Sequence, residues 1–332
     1  MDILNNAVIT YDCIKASVDV TEKELSDFSV EKGDILFQRS SETLEDVGRA
    51  NVYMDDKTAV FGGFVIRGKK KGEYDPQYFN YLLRSPFARK RIVPMGAGAQ
   101  HFNIGQEGLS KVNLHFANIK EQKKIGKMFS LLDERIATQN KIIEDLKKLK
   151  YAISERLFKS VKGSIVLLSD ICDIVKGKQI NGENLSERGR YYVMNGGTEP
   201  SGYYDDYNVE ANTISISEGG NSCGYVQFNT FPFWSGGHCY SIQNVTGNVD
   251  NLYLYHYLKS NEDNIMKLRI GSGLPNIQKK DLAMFKIIVP TLEQQMTIST
   301  FLSSIERKAE IERRIQNAIQ KQRLYLLQQM FI

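Results

Sequence analysis

Histidine and cysteine are the residue types that most often bind metals or carry out proton and thiol chemistry in proteins. The chain has four histidines: His101, His115, His238 and His256. None of them lies at a metal-ligand spacing from another, so we interpret each as structural or solvated. The four cysteines contain no C-x-x-C pair, which argues against a zinc site and against a disulfide framework. The sequence therefore predicts no metal.

One short segment resembles a catalytic motif but departs from it. Asp75-Pro76-Gln77-Tyr78 is close to the D-P-P-Y motif of adenine methyltransferases, but its third position differs. The residues after it have the pattern of a helix, and no F-x-G-x-G cofactor loop precedes it. The sequence also lacks a G-x-x-x-x-G-K-[ST] phosphate loop. We therefore expect a protein without catalytic residues of its own.

Glycine-rich loops and isolated arginines remain, and both are typical of surfaces that contact DNA. The segments 218–224 and 234–238 combine glycines with hydrogen-bonding side chains, so their backbone can approach a phosphate or a groove closely. Tight turns around a core tryptophan would give the same pattern, and the sequence leaves that alternative open. The candidates for DNA contacts in these loops and near the N-terminus are Gly219, Gly220, Asn221, Ser222, Trp234, His238, Arg39, Ser40, Ser41 and Arg49.

Charge alone does not predict DNA binding, because the formal net charge is only +4. Arg67 and segment 89–91 are candidates for phosphate contacts. Segment 69–71 is more typical of a solvated face. The sequence has no apolar run long enough to span a bilayer and no N-terminal signal pattern, so we expect a cytoplasmic protein with reduced thiols.

Two long segments have the heptad pattern of coiled-coil helices. In segment 121–158 the pattern is formed by Phe129, Leu132, Ile136, Ile143, Leu146 and Ile153. In segment 293–331 it is formed by Ile298, Phe301, Ile305, Ile315, Ile319 and Leu326. At about 1.5 Å per residue the first helix would be about 57 Å long, too long for one compact domain. We therefore predict that the two helices pair along their length, with Ile143 and Ile315 in the interface.

The chain repeats a globular arm followed by a long helix. The matching segments are 78–85 with 253–260, 98–114 with 271–287, and Glu121-Gln122 with Glu293-Gln294. Strand patterns close the two arms at 112–116 and 285–289. The first arm has fewer residues ahead of its first strand pattern than the second arm has, so we expect a first arm that is shortened at its N-terminus.

These patterns predict an α+β fold in which two mixed α/β domains are separated and joined by two long helices. The helices are expected to form an antiparallel intramolecular coiled coil. The predicted boundaries are 1–117 for the first domain, 118–162 for the central helical region, 163–290 for the second domain and 291–332 for the C-terminal helical region.

The order of arm, helix, arm and helix resembles the DNA-specificity subunit of type I restriction–modification systems. The segments 271–282 and 289–295 resemble the segments that lead into the second long helix in that family. Asn195-Gly196-Gly197 followed by Ser201-Gly202-Tyr203 resembles one class of the family's target-recognition domains, and segment 33–48 resembles another. Further DNA-contact candidates within matching segments are Gln100, His101, Lys178, Asn195, Ser201, Tyr203 and Ser272.

The resemblance implies a non-catalytic subunit in which each target-recognition domain reads one half of a split double-stranded DNA target. It implies that the coiled coil sets the spacing and docks methyltransferase subunits, which bring S-adenosylmethionine. A translocase–nuclease subunit joins for restriction. No cofactor on this chain and no membrane partner are expected. The alternative is a coiled-coil scaffold whose arms bind proteins, and the salt dependence of DNA binding separates the two.

Overall fold

The computed structural model of the chain describes residues 2–98, 100–271 and 273–331. Its internal contacts divide the chain into two compact units. Unit 1 comprises Met1–Lys141 and Arg313–Ile332, and unit 2 comprises Ile142–Glu312. Each unit therefore combines one arm of the repeat with one part of each long helix.

Unit 1 is built on a small antiparallel sheet. Its elements in chain order are α1 (Asp2–Asn5), α2 (Glu22–Phe28), β1 (Ser29–Val30), β2 (Ile35–Gln38), β3 (Ser40–Ser41), β4 (Ala50–Val52), β5 (Ala59–Val60), β6 (Val65–Gly68), α3 (Pro76–Arg84), α4 (Pro86–Ile92), β7 (Phe102–Asn103), α5 (Gln106–Ser110) and the first part of α6 (Ile119–Ser160). Strand β2 lies between β4 and β6. The pairs β1–β5 and β3–β7 are also antiparallel.

Helix α3 begins where the sequence supplies both an N-cap and a proline. The Asp75 carboxylate accepts the backbone N–H of Tyr78 at 2.7 Å, and Pro76 lies in the first turn. The segment that resembles a methyltransferase motif is therefore a helix N-terminus. The helix buries Tyr78 and Tyr81 in a core that also contains Phe129 of α6.

Unit 2 contains a larger set of strands. Its elements after α6 are β8 (Ser164–Leu167), α7 (Leu168–Ile171), β9 (Asp173–Lys176), β10 (Tyr191–Met194), β11 (Tyr203–Tyr204), β12 (Thr213–Ser217), β13 (Val226–Asn229), β14 (Trp234–Ser235), β15 (Cys239–Gln243), α8 (Asn251–Ser260), α9 (Glu262–Met266), α10 (Lys279–Ala283), β16 (Lys286–Val289) and α11 (Leu292–Gln329), which ends in unit 1. The sheets have the strand orders β13–β12–β15–β9, β11–β10–β14 and β16–β8.

The two units repeat one arrangement, and the predicted fold class is confirmed. The central strand of the larger sheet, β2 or β12, pairs antiparallel with one strand on each side. The same cap begins the helix after each sheet, because Asp250 accepts the N–H of Tyr253 at 2.7 Å as Asp75 accepts that of Tyr78. Two mixed domains and two long helices are present, as the sequence predicted.

Unit 1 has no counterpart of β8, α7 and β9 among its described residues. In unit 2, β9 extends the sheet beside β15, and β8 pairs with β16. The closing strand predicted at 112–116 does not form, and this prediction was wrong. An alternating pattern becomes a strand only where another strand satisfies its backbone groups, and the described part of unit 1 offers none there. An apolar cavity of about 380 Å³ lies beside this segment, with Phe37, Ile66 and Leu114 in its lining.

Helices α6 and α11 run antiparallel in each unit. In unit 1, Phe129 in the first half of α6 stacks on Phe331 just beyond α11, with ring centroids 5.8 Å apart. In unit 2, Phe158 near the end of α6 shares a core with Leu302 near the start of α11. Early residues of one helix thus lie with late residues of the other in both units, which is the antiparallel arrangement.

On α6 the buried stripe follows the heptad positions. Phe129 and Ile143 are buried. The other positions of the heptad pattern are half-buried: Leu132, Ile136, Leu146 and Ile153. The helix therefore turns the apolar stripe read from the sequence towards its neighbours.

On α11 the seam predicted from the sequence is displaced by one residue over much of the helix. Phe301 and Ile315 are 48% and 37% exposed, so their assignment to the interface was wrong. Leu302 is fully buried instead, and Ile319 is buried as well. The remaining positions of the predicted seam are half-buried: Ile298, Ile305 and Leu326.

Two glutamines explain the displacement. The Oε1 atom of Gln122 accepts the backbone N–H of Asp75 at 2.9 Å, and that of Gln295 accepts the N–H of Asp250 at 2.8 Å. Each side chain also donates to a carbonyl oxygen beside the start of its helix. Gln122 therefore corresponds to Gln295, not to Gln294, because the sequence E-Q-Q allows two alignments.

The register predicts opposite outcomes for two adjacent residues. Leu302→Ala removes a fully buried side chain and should lower the free energy of unfolding by about 2–5 kcal/mol. Phe301→Ala should cost about 1 kcal/mol or less, because the Phe301 side chain is half exposed. Urea unfolding of both variants measures the difference. A larger loss for Phe301→Ala would show that the seam follows the sequence pattern after all.

Candidate nucleic-acid interface

Four segments of unit 2 meet at one end of its strands and bring several predicted DNA-contact residues together. They contain Lys178, Asn195, residues 218–220 and residues 234–238, and the N–H of Glu218 donates to the carbonyl oxygen of His238 at 2.9 Å. The backbone N–H of Lys178 donates to the carbonyl oxygen of Ser235 at 2.8 Å. The Trp234 Nε1–H donates to the carbonyl oxygen of Lys178 at 3.0 Å. The N–H of His238 donates to Oδ1 of Asn195 at 3.1 Å. Lys178, Asn195, Trp234 and His238 therefore belong to a single group of loops, which we call the unit 2 loop group.

Glycines let these loops approach one another. A Cβ atom on Gly236 would lie 2.5 Å from Oδ1 of Asn195, so no side chain fits there. Gly220 has a φ of 80°, and its N–H donates to the carbonyl oxygen of Pro275 at 3.0 Å. Apart from its chain neighbours, no atom of the described residues lies within 4 Å of a Cβ built on Gly220, so the backbone there is open to a ligand. Gly219, which precedes it, is half-buried.

A buried carboxylate lies beneath this group of loops. Oε1 of Glu218 accepts the Nζ of Lys176 at 2.7 Å and the hydroxyl of Tyr240 at 3.1 Å. Burial and the Glu218 charge both raise the pKa of Tyr240. Glu218 is thus paired with Lys176, whose side chain reaches the surface, whereas the exposed Lys178 side chain forms no ion pair with the described residues and is available to a ligand.

Trp234 holds the loops together. Its ring is half-buried and lies edge-to-face against Tyr204, with centroids 5.2 Å apart. Its indole Nε1–H donates to the backbone carbonyl oxygen of Lys178. Trp234 therefore makes structural contacts within the loops without belonging to a buried core, and its contact with DNA stays a prediction.

The other predicted residues of unit 2 lie on its surface. Ser201, Tyr203 and Asn221 are exposed, and Ser222 is half-buried in the turn that follows Gly220. Tyr203 lies on β11 opposite Tyr192. Ser272 lies outside the described residues. Contacts between DNA and any of these side chains stay predictions.

A smaller group forms in unit 1 around the strand pair β3–β7. Ser40 lies opposite Asn103 and Ser41 opposite Phe102. The N–H of Ile104 donates to the carbonyl oxygen of Arg39 at 2.9 Å. The predicted contacts that come together here are Arg39, Ser40, Ser41, Gln100 and His101, and of these the arginine, the glutamine and the histidine are exposed.

Arg49 lies apart from that group. Its Nε is 2.7 Å from Oδ1 of Asp46, and its side chain lines a cavity with Arg84 and Arg89. The sequence made Arg49 a candidate for DNA contacts and segment 89–91 a candidate for phosphate contacts. The cavity that the three arginines share was missed, because their separation in the sequence gives no sign of it.

The described part of the chain contains no cluster of three or more metal-binding side chains. Burial raises the pKa of Cys172 to about 12 and the pKa values of Cys223 and Cys239 to about 11, so these thiols stay protonated. None of the helices within residues 2–98, 100–271 and 273–331 combines the length and hydrophobicity needed to cross a bilayer.

Sequence reasoning also missed two ion pairs that join α6 to α11. In unit 1, Arg323 bonds Asp133, with Nη2 3.3 Å from Oδ2, and Tyr81 donates its hydroxyl to the same carboxylate at 2.8 Å. In unit 2, Lys150 bonds Glu306. The two pairs occupy corresponding positions once Gln122 is aligned with Gln295. Correct alignment of the helices would have revealed them.

Comparison with known proteins identifies the family. The chain matches the family described as type I restriction modification DNA specificity domain over residues 1–148 and again over residues 163–321. The chain belongs to this family. It is a DNA-recognition subunit with two target-recognition domains, and such specificity subunits are not catalysts. The resemblance seen in the sequence is confirmed.

Relatives with the same organisation support the assignment. The type I restriction enzyme MjaVIII specificity subunit of Methanocaldococcus jannaschii is 24% identical over 356 aligned positions, which cover 92% of this chain and 79% of that protein. A chain provisionally designated the MjaX specificity subunit of the same organism is 26% identical over 91% of this chain and 78% of its own length. A crystal structure of a type I restriction–modification S subunit from M. genitalium has the same fold, with a TM-score of 0.66 and 19% identity over 92% of this chain and 84% of that one.

His256 gives the specificity subunit a predictable response to acid. Its Nε2 is 2.9 Å from Oγ of Ser303, and burial lowers its pKa from 6.5 to about 4. The folded protein keeps the imidazole neutral, whereas the unfolded chain takes up a proton as the pH falls through 6.5. Stability from this residue is present at pH 7 and is lost as the pH falls towards 4, by about 3 kcal/mol in total.

Urea unfolding at pH 7, 5 and 4 tests this expectation. His256→Gln should remove that part of the loss, so its free energy of unfolding should fall less steeply than that of the wild type. His115→Gln, a change at an exposed histidine, is the matched control and should leave the profile unchanged. Parallel profiles for His256→Gln and the wild type would contradict the assignment.

Proposed function

We propose that each unit reads one half of a split DNA target and that α6 and α11 keep the two readers at a fixed separation. The observation that carries this proposal is the duplication: a sheet with an exposed loop group occurs in each unit, attached by the same contacts to its own part of the same two helices. A single rigid element that passes through both readers is a simple way to fix the spacing of two half-sites.

The loop groups fit a role in recognition of bases and phosphates. Exposed amide, imidazole and cationic side chains can hydrogen-bond to base edges and phosphates, as Gln100, His101 and Arg39 would in unit 1. In unit 2 the exposed Lys178 and the open backbone at Gly220 offer the same chemistry. The modest net charge of +4 favours a subunit that contributes specificity while partners add further phosphate contacts.

Partner subunits would dock on the helices. Leu292, Met296 and Phe301 leave apolar surface exposed on the first part of α11, where they line an open groove. Exposed apolar patches of this kind are typical of protein interfaces. We assign this face to a methyltransferase subunit that carries S-adenosylmethionine, and a translocase–nuclease subunit would join the complex for restriction. Such a complex would act in the cytoplasm, where its DNA is.

A scaffold whose arms bind proteins is the second candidate. Such a scaffold would show little affinity for DNA at any salt concentration. For the DNA-recognition subunit we expect affinity to fall by orders of magnitude between about 50 and 200 mM salt, because several phosphate contacts release counterions.

Co-expression with a methyltransferase subunit and mapping of methylated adenines tests the proposal. The wild type should yield a two-part motif with a fixed gap. Lys178→Ala together with Asn221→Ala should relax only the half read by unit 2, and Arg39→Ala together with His101→Ala only the other half. Lys286→Ala, which removes an exposed lysine of unit 2 away from the loops, is the matched control. A one-part motif, or relaxation of both halves by either pair, would contradict the division of labour.

A further inference from the structure

The arginine-lined cavity of unit 1 has the features of a ligand site. It encloses about 410 Å³ between α1, the α3–α4 region and the start of β4. Its polar lining comes from Arg49, Arg84, Arg89 and the exposed Glu45, and Ile3, Leu83 and Val93 contribute apolar walls. A space of this size falls in the range of small-molecule pockets.

Two of the guanidinium groups are held only by neutral carbonyl oxygens. Arg84 donates to the carbonyl oxygens of Ala50 at 3.3 Å and Asn6 at 3.0 Å. Arg89 donates from Nη2 to the carbonyl oxygens of Glu45 at 2.6 Å and Val47 at 2.8 Å. The Nη1 atom of Arg89 is buried and has no partner within the described part of the chain. Such an orphaned charged donor is costly unless a ligand completes it.

The electrostatics of the cavity favour an anion. Burial lowers the pKa values of both Arg84 and Arg89, and the charge of Arg49 lowers them further, whereas Asp133 raises the pKa of Arg84 and Asp46 raises that of Arg89. Asp46 neutralises Arg49, but no carboxylate of the described residues lies within ion-pair distance of the other two arginines. An oxyanion with two acceptor oxygens could bond both guanidinium forks and relieve this repulsion.

Unit 2 supplies its own anion at the corresponding place. There Lys259 donates to the carbonyl oxygen of Val226, the first residue of β13, at 2.9 Å. Arg84 makes the equivalent contact in unit 1 with Ala50, the first residue of β4. Glu262 completes the site, because its Oε2 lies 2.6 Å from the Lys259 Nζ and accepts the N–H of Val226 at 2.8 Å.

Unit 1 replaces that carboxylate. When segments 78–85 and 253–260 are aligned, Phe87 occupies the position of Glu262. The Phe87 ring packs under the guanidinium of Arg91, and the distance from the ring centroid to Cζ is 3.7 Å. The ring contributes no charge to the cavity. Unit 2 therefore contains a satisfied cation at this place, and unit 1 contains two arginines with no carboxylate of the described residues within ion-pair distance.

We propose that the Arg84–Arg89 cavity of unit 1 binds a phosphate group from outside the chain. The ligand class is a phosphate ester, either a free mononucleotide or a phosphate of DNA bound by the complex. The apolar wall formed by Ile3, Leu83 and Val93 would hold the organic part of the ester. A free mononucleotide would bind whether or not unit 1 reads bases, whereas binding of a DNA phosphate rests on the proposed function.

Titration of the full chain with inorganic phosphate, with AMP and with a DNA duplex tests the proposal and separates the two sources. We expect Arg89→Met to weaken binding of the cognate probe at least tenfold. Phe87→Glu keeps both arginines and introduces the carboxylate that unit 2 has, so it should weaken binding equally. Because Phe87 packs against the core of unit 1, a thermal melt of this variant checks that it is folded at the temperature of the titration. Lys90→Ala, which removes an exposed charge from the same helix, is the matched control and should leave the affinity unchanged.

The outcomes are distinct. Phosphate and AMP binding that both cavity variants abolish identifies a free nucleotide as the source. The source is a DNA phosphate if two results coincide. The small probes do not bind, and the affinity for the duplex is lowered by Arg89→Met and Phe87→Glu but not by Lys90→Ala. If neither cavity variant changes the affinity for any probe, the proposal is overturned, while the mapping of methylated adenines still tests the two-reader function separately.

Discussion

The packing of α6 against α11 is the constraint on which the rest of each unit depends. In unit 1 the ion pair of Asp133 and Arg323 joins the helices, and in unit 2 Glu306 and Lys150 do so. All four side chains are partly buried, so solvent screens their attraction less than it would screen a surface pair. Partly buried pairs of this kind fix the register of a helix pair, because a shifted register would leave charges unpaired.

The same carboxylates also attach the short helices α3 and α8 to the long helices. Tyr81 of α3 donates to Asp133, and Tyr255 of α8 donates to Glu306 at 3.0 Å. Gln122 and Gln295 add a second attachment at the helix starts. Each unit therefore has two attachments between one short helix and a long helix, one at the N-cap of the short helix and one from a tyrosine within it. The feature that the two units share is therefore the attachment of a target-recognition domain to the long helices.

Much of the fold could be predicted from the sequence, because repeats and heptads are local signals. The long helices, the two arms and the family followed from them. The register of α11 was misjudged because Phe301 and Ile315 continue a heptad that the structure leaves exposed, while Leu302 is buried. The strand expected at 112–116 does not form because the described part of unit 1 offers it no partner strand, and a local pattern does not show whether a partner is present.

The candidate site was less predictable, because loops converge only in three dimensions. The sequence named Lys178, Asn195 and His238 separately, and the structure brings them together. The sequence could not reveal that the Trp234 indole bonds to the loop backbone, or that Arg84 and Arg89 share a cavity. Side chains that are distant in sequence acquire a common role only through the topology of the sheets.

A charge-swap cycle at Lys150 and Glu306 tests the central claim most directly. Lys150→Glu and Glu306→Lys should each lower the free energy of unfolding by about 2–4 kcal/mol, because each places two like charges in a partly buried contact. The double variant restores opposite charges and should recover most of that loss. If the losses of the single variants instead add up in the double variant, the two residues do not meet and the helix pairing described here is wrong.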